Sequence, residues 1–239
     1  MEIIQHPLIF WNERPQSIDT IVLHCSAHEP NDMVCILTEE KLSSHYIIGT
    51  NGEIWQLVPE EKRAWHAGIS YWRGQENLNH RSIGIELSSP SMGQKTYSKT
   101  QMQSLLQLCQ DIIKRNSTIL PQNIVAHSDI APTRKVDPGK AFPWAWLAAN
   151  GIGLWYDIND AEKIAENNAE KLLNIIGYNT ANSAASAYAF CRHFAPYAVT
   201  FEEDIRKLID NVYPQNFVLP PEILPILKAV AYRYQSAIL

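Results

Sequence analysis

Three short apolar runs, Asp19–His24 (DTIVLH), Ile83–Leu87 (IGIEL) and Asn123–His127 (NIVAH), most constrain how this chain can fold. Each is rich in β-branched residues and reads as a buried strand. Tyr46–Ile48 and Ile54–Val58 add a pair of strands around Thr50-Asn51-Gly52-Glu53. Asn-Gly tolerates the positive φ of a tight hairpin. Between the second and third runs, Met102, Leu105, Leu106, Cys109, Ile112 and Ile113 recur at helical spacing, which predicts a helix over 98–116. Ser98 and Gln101 at its start have the form of a capping box. A short Trp-rich helix is expected near 143–149. The first 150 residues thus alternate strand and helix, an α/β organisation.

Composition shifts after Trp155. From Asp160 onward the pattern is helical, with Ile164, Leu172, Leu173 and Ile176 on one stripe and Gly177 as its terminator. Further helices are expected near 183–194 and 221–235, and residues 197–220 read as an insertion before the last. The expected organisation is a domain over residues 1–158 and a small C-terminal three-helix domain over 159–239.

At 46% hydrophobic and 19% charged residues the chain can bury a proper core. Its net charge of −5 argues against a nucleic-acid partner. Cys25, Cys35, Cys109 and Cys191 form no CxxC pair and suggest free thiols. No stretch approaches the roughly 18 apolar residues of a membrane span. The amino terminus lacks the basic start and long apolar run of a secretory signal. The chain is therefore expected to stay in the compartment where it is made, the cytoplasm. A trimmed leader, which would place it in the periplasm, leaves the same sequence.

His24 and His127 each stand at the carboxyl end of an expected strand, where a sheet presents side chains to a loop-lined cleft. Asp137 follows His127 by ten residues on a Pro-Gly turn. A lone strand-end histidine is more often structural, so the joint pattern carries the signal. Two imidazoles and one carboxylate suit Zn²⁺, and three protein ligands leave one tetrahedral position free for water. Glu86 is a candidate general base. The alternation that puts Ile83, Ile85 and Leu87 on one face leaves open that Glu86 points into solvent from an edge strand. Lys135 could stabilise an oxyanion, with an ordinary surface lysine as the commoner reading. His45 is expected to face the interior and His66 to line the cleft. His6, His28, His80 and His193 carry no spacing argument, and strand alternation turns Cys25 away from His24.

The segments IVLHCSA, SSHYIIGTNGEIWQLVPEEKRAWHAG, YWRG, SIGIELSSP and VAHSDIAPTRKVDPGKAFPW together resemble the zinc-dependent N-acetylmuramoyl-L-alanine amidases of the AmpD/AmiD group, which share a fold with peptidoglycan recognition proteins. The likeness runs in order from about residue 17 to 155. It implies a mixed central β-sheet flanked by helices, one Zn²⁺ per chain and a groove for peptidoglycan or muropeptides. It also implies His24, His127 and Asp137 as zinc ligands, and Glu86 and Lys135 as catalytic groups. Trp65, His66 and Arg73 fall in segments bordering the groove. The segments LLNIIGYN and AYAFCRHFAP are more loosely similar to a small peptidoglycan-binding helical domain, with a packing or dimerising role as the alternative.

The implied reaction is hydrolysis of the amide between N-acetylmuramic acid, or its 1,6-anhydro form, and L-alanine. Two competing classes are a non-catalytic peptidoglycan-recognition module and a zinc peptidase cutting within the stem peptide.

Overall fold

The computed structural model describes residues 2–200 and 212–237. The strands are β1 (Ile3–Gln5), β2 (Trp11–Glu13), β3 (Thr20–Ser26), β4 (Tyr46–Ile48), β5 (Ile54–Gln56), β6 (Lys62–Ala64), β7 (Tyr71–Trp72), β8 (Gln75–Glu76), β9 (Ser82–Ser88) and β10 (Ile124–Ala126). The α-helices are α1 (Pro30–Glu39), α2 (Lys99–Arg115), α3 (His127–Ile130), α4 (Trp144–Ala149), α5 (Ala169–Ile176), α6 (Ser183–Phe194) and α7 (Leu224–Ser236).

Six strands form the central sheet in the order β1-β5-β4-β9-β3-β10. Only β4 and β5 pair antiparallel, across the Asn51-Gly52 turn, so the sheet is mixed. Ile21, Leu23 and Cys25 of β3 pack with Ile83, Ile85 and Leu87 of β9 against Met102, Leu105, Leu108, Cys109 and Ile112 of α2. Ser98 caps α2 by accepting from the Gln101 backbone N–H at 3.1 Å. Only that half of the expected box forms. The Gln101 carboxamide instead donates to the Ile48 and Ser88 carbonyls at 3.0 and 2.9 Å, tying α2 to the sheet.

The opposite face of the sheet carries the C-terminal helices. Val22 and Val125 share one buried cluster with Trp72, Ile130, Leu172, Leu173, Ile176, Tyr178, Phe190, Phe194, Leu227 and Tyr234. The helix expected from Asp160 begins later than its apolar stripe suggests. Residues Ile158–Lys163 are 3₁₀, and Asn168 caps α5 by accepting from the Lys171 N–H. Ile164 joins the cluster from an extended segment. Part of the expected insertion, residues 201–211, lies outside the described residues.

A polar joint accompanies this packing. Asp129, buried on α3, accepts from the Tyr178 hydroxyl and the His193 ring, both at 2.7 Å, and from the Ala126 N–H at 2.8 Å. Truncation after Tyr156 strips this face and leaves Asp129 without two of its three donors. We expect the shortened chain to melt well below the full chain or to aggregate, because buried apolar area and a paired buried charge are lost together. Thermal unfolding of both forms checks this, and an unchanged midpoint would show the helices to be dispensable for the core.

Candidate metal centre and active site

In-register parallel pairing sets His24 of β3 opposite Glu86 of β9. Because the odd-numbered neighbours are buried under α2, alternation turns Val22, His24, Gly84 and Glu86 to the other face. His127 joins them on that face. The strand expected to reach His127 ends at Ala126, and His127 opens the four-residue α3. Asp137 comes in from the loop after α3, held by the Ser128 N–H donating to the Asp137 carbonyl at 3.0 Å. Gly139 and Gly93 let that loop lie against the segment after β9. A Cβ on Gly93 would stand 1.8 Å from the Pro138 oxygen, and both glycines have positive φ.

Three donor atoms converge. His24 Nδ1 lies 2.9 Å from His127 Nδ1 and 3.3 Å from Asp137 Oδ2, and His127 Nδ1 is 3.1 Å from the same oxygen. Ligands in tetrahedral geometry around zinc stand about 3.3 Å apart, so the triangle has the size of one face of such a site. Among the described residues this is the only group of three or more His, Cys, Asp or Glu gathered in this way.

The electrostatics suit a cation. Burial, aided by His127, lowers the His24 pKa to about 4, and burial lowers His66 well below its ordinary value. Both rings are therefore neutral near pH 7, and a neutral imidazole is the form that ligates metal. Burial works to raise Asp137, but the charge interaction and hydrogen bonds from His127 and His24 outweigh it and hold the carboxyl well below the usual range.

Glu86 does not face open solvent. Its side chain is 15% exposed, with Oε1 3.9 Å from His24 Nδ1. Burial, then the Asp137 charge, push its pKa up to about 8, while Lys135 opposes the shift. Lys135 is half-buried in the turn after α3, where its N–H donates to the Ala131 carbonyl at 3.0 Å. Its charge acts on both Glu86 and His24.

The three groove candidates have different surroundings. Trp65 is 42% exposed and donates its indole N–H to Asn12 Oδ1 at 3.0 Å. His66 sits behind the site, its Nδ1 2.9 Å from His24 Nε2. Arg73 is not brought to the cluster. It occupies the β7–β8 turn with φ +49°, donates to the Ile176 carbonyl and lies over the Tyr234 ring, on the side of the helices. His45 faces inward as expected, accepting from the Gly84 N–H and contacting the Lys62 carbonyl. Sequence reasoning missed Arg134, which donates to the Ala67 and Ile69 carbonyls, and Asn79 and Ser82 behind His66. These residues act on backbone groups or on another side chain, so no motif marks them.

A mixed sheet gathering two imidazoles, a carboxylate and a neighbouring glutamate in one mouth has the layout of a metal-dependent hydrolase. The N-acetylmuramoyl-L-alanine amidase family matches residues 14–140, more than half of the chain, and the chain belongs to that family. It is 47% identical over 154 residues to N-acetylmuramoyl-L-alanine amidase AmiD of Escherichia coli, covering 59% of this chain and 55% of that protein. It is 45% identical over 105 residues to 1,6-anhydro-N-acetylmuramyl-L-alanine amidase AmpD of E. coli, covering 44% of this chain and 56% of that one. The matches thus span about half the length of these curated relatives. Among solved structures, the complex of E. coli AmiD with anhydro-N-acetylmuramic acid-L-Ala-D-gamma-Glu-L-Lys superposes with a TM-score of 0.73 at 34% identity, covering 91% of this chain and 90% of that one. AmpDH3 of Pseudomonas aeruginosa gives 0.75 at 30% identity, with 91% and 92% covered. Both superpositions extend beyond residue 158 into the C-terminal helices.

Proposed function

We propose that the chain is a zinc-dependent amidase that cleaves the bond between N-acetylmuramic acid, including its 1,6-anhydro form, and L-alanine of a muropeptide. One observation carries this reading: the convergence of His24 Nδ1, His127 Nδ1 and Asp137 Oδ2, with Glu86 beside His24 on the next strand. Two imidazole nitrogens and one carboxylate oxygen fit zinc, and a three-ligand set keeps a position open. When bound there, zinc supplies a Lewis acid that polarises the scissile carbonyl and makes water acidic near neutral pH.

The chain's own groups do the rest. Glu86 takes the proton from the attacking water and returns it to the leaving alanine nitrogen as the C–N bond breaks. Positive charge beside it, from Lys135 and from an ion in the cradle, favours the carboxylate form that this step needs. Lys135 is proposed to stabilise the oxygen on which negative charge grows, in keeping with the action of its charge on Glu86 and His24. Trp65, 42% exposed, is proposed to border the substrate groove, while the contacts of Arg73 with the Ile176 carbonyl and the Tyr234 ring support a role in joining the helices. Residues 159–239 are proposed as a peptidoglycan-binding-like helical domain. Its residue pattern and the extent of the AmiD superposition support that assignment.

Incubation with a purified anhydro-muropeptide, with products read by mass spectrometry, is the test. The expected products are an intact anhydro-sugar and a peptide with a free L-alanyl amino terminus. Chelation should stop the reaction and added Zn²⁺ restore it. Cleavage within the stem peptide would indicate a peptidase, and binding without any product a recognition module.

A further inference from the structure

Resting on the metal reading above, we propose that the C-terminal helices position the backbone of His127 through Asp129, so that their docking and the uptake of the ion are coupled. Tyr178 and His193 are thereby positioning residues, acting on the site through one buried carboxylate.

His127 has less support from the sheet than His24. His24 lies in β3, which β9 flanks on one side and β10 on the other. β10 is the edge of the central sheet and, among the described residues, pairs only with β3. His127 leaves the end of β10 into α3, a helix of four residues. An isolated helix shorter than about 12–15 residues is marginal in water. Tertiary bonds must therefore fix where the His127 backbone stands. One of them ties the Ser128 N–H to the Asp137 carbonyl at 3.0 Å. The others run through Asp129.

Asp129 is buried two residues beyond His127. Its Oδ2 accepts the backbone N–H of Ala126, the residue just before His127, and lies 2.7 Å from His193 Nδ1 on α6. Its Oδ1 accepts the hydroxyl of Tyr178, which follows α5. One carboxylate thus grips the chain on the entry side of His127 and two side chains of the helical region. Both of those side chains are themselves braced. The Tyr178 ring meets Trp72 edge-on at 5.1 Å, and the His193 ring stacks on Trp144 of α4 at 3.9 Å. Hydrogen bonds to an ionised group are roughly twice as strong as neutral ones, so Asp129 resists displacement and holds Ala126 with it. Metal ligation is met only within about 0.2 Å of its preferred distances, so a small drift of His127 costs affinity. Such coupling is reciprocal: whatever docking does for the ion, the ion does for docking.

The test compares zinc affinity of the full chain, by competition with a chromogenic chelator, with thermal unfolding of the same variants without metal. Tyr178→Phe removes one hydroxyl and keeps the ring, and His193→Ala removes the second partner. Each should bind zinc about fivefold or more weakly, the lower end of typical coupling between sites. His193→Asn, which offers an amide N–H in place of the ring, should recover part of the loss. Leu227→Ala is the control, since Leu227 packs in the same buried cluster. It should lower the unfolding midpoint at least as much and leave zinc affinity at the wild-type value. Wild-type affinity in folded Tyr178→Phe and His193→Ala overturns the proposal, and so does an equal loss of affinity in Leu227→Ala. Should the variants fail to fold, hydrogen exchange of the wild-type chain decides: zinc should slow exchange of the α6 amides, and unchanged exchange overturns the proposal. If the wild-type chain takes up no zinc, the metal reading falls and this proposal with it. Intact wild-type binding with unaltered variants overturns the proposal alone.

Discussion

His127→Ala is expected to abolish metal uptake and turnover together. The imidazole supplies one corner of the donor triangle, 2.9 Å from His24 Nδ1 and 3.1 Å from Asp137 Oδ2. Without it, two donors remain for an ion that wants at least three from the protein. The substitution also leaves the Ala67 carbonyl with one donor fewer, although Arg134 still bonds it at 3.0 Å. The fold should survive, because the buried cluster on this face is built from Val22, Val125 and the C-terminal helices and does not include His127. Metal content by atomic absorption, with thermal unfolding as the control, checks the prediction. A folded variant that retains one zinc per chain and its activity would remove His127 from the site.

Glu86→Gln should separate binding from chemistry. The amide is close in size to the carboxylate and can still accept a hydrogen bond, but it cannot take a proton from water. Zinc content and muropeptide affinity are expected to stay near wild type, while kcat falls by about 10²–10⁴-fold, the usual range for a lost general base. That corresponds to roughly 3–5 kcal/mol of transition-state stabilisation. Glu86 is the residue to test because it is nearly enclosed yet touches no donor triangle edge: its Oε1 stands 3.9 Å from His24 Nδ1, the margin of the cluster. Lys135→Ala should cost less and act mainly on kcat, since its contact strengthens as charge develops on the substrate oxygen. Turnover close to wild type in the glutamine variant would sink the proton-transfer role.

The helical region illustrates how far one-dimensional pattern carries. Three helices were legible from spacing and from Gly177, which ends α5 at φ +132°. That those helices complete the core of the sheet was not legible. Amphipathic stripes report that a face is buried and say nothing of what buries it. Likewise the sequence marked AFCRHF without revealing that His193 reaches Asp129, 64 residues earlier in the chain.

For the site, the sequence by itself determined which side chains could do the chemistry. His24, Glu86 and His127 stand on or beside recognisable strands, and Asp137 on a Pro-Gly turn, because local pattern and residue type are properties of short segments. Only the tertiary structure decided their geometry. Strand register put Glu86 next to His24 and turned it from solvent, which alternation along one strand could not do, since both faces satisfy the same period. Chain topology likewise set Arg73 against the Ile176 carbonyl and the Tyr234 ring and put His66 Nδ1 2.9 Å from His24 Nε2. Asn79, Ser82 and the Ala67 carbonyl entered only at this level. Hydrogen bonds that orient another residue depend on distances across the fold, and a linear sequence does not encode them in any local signal.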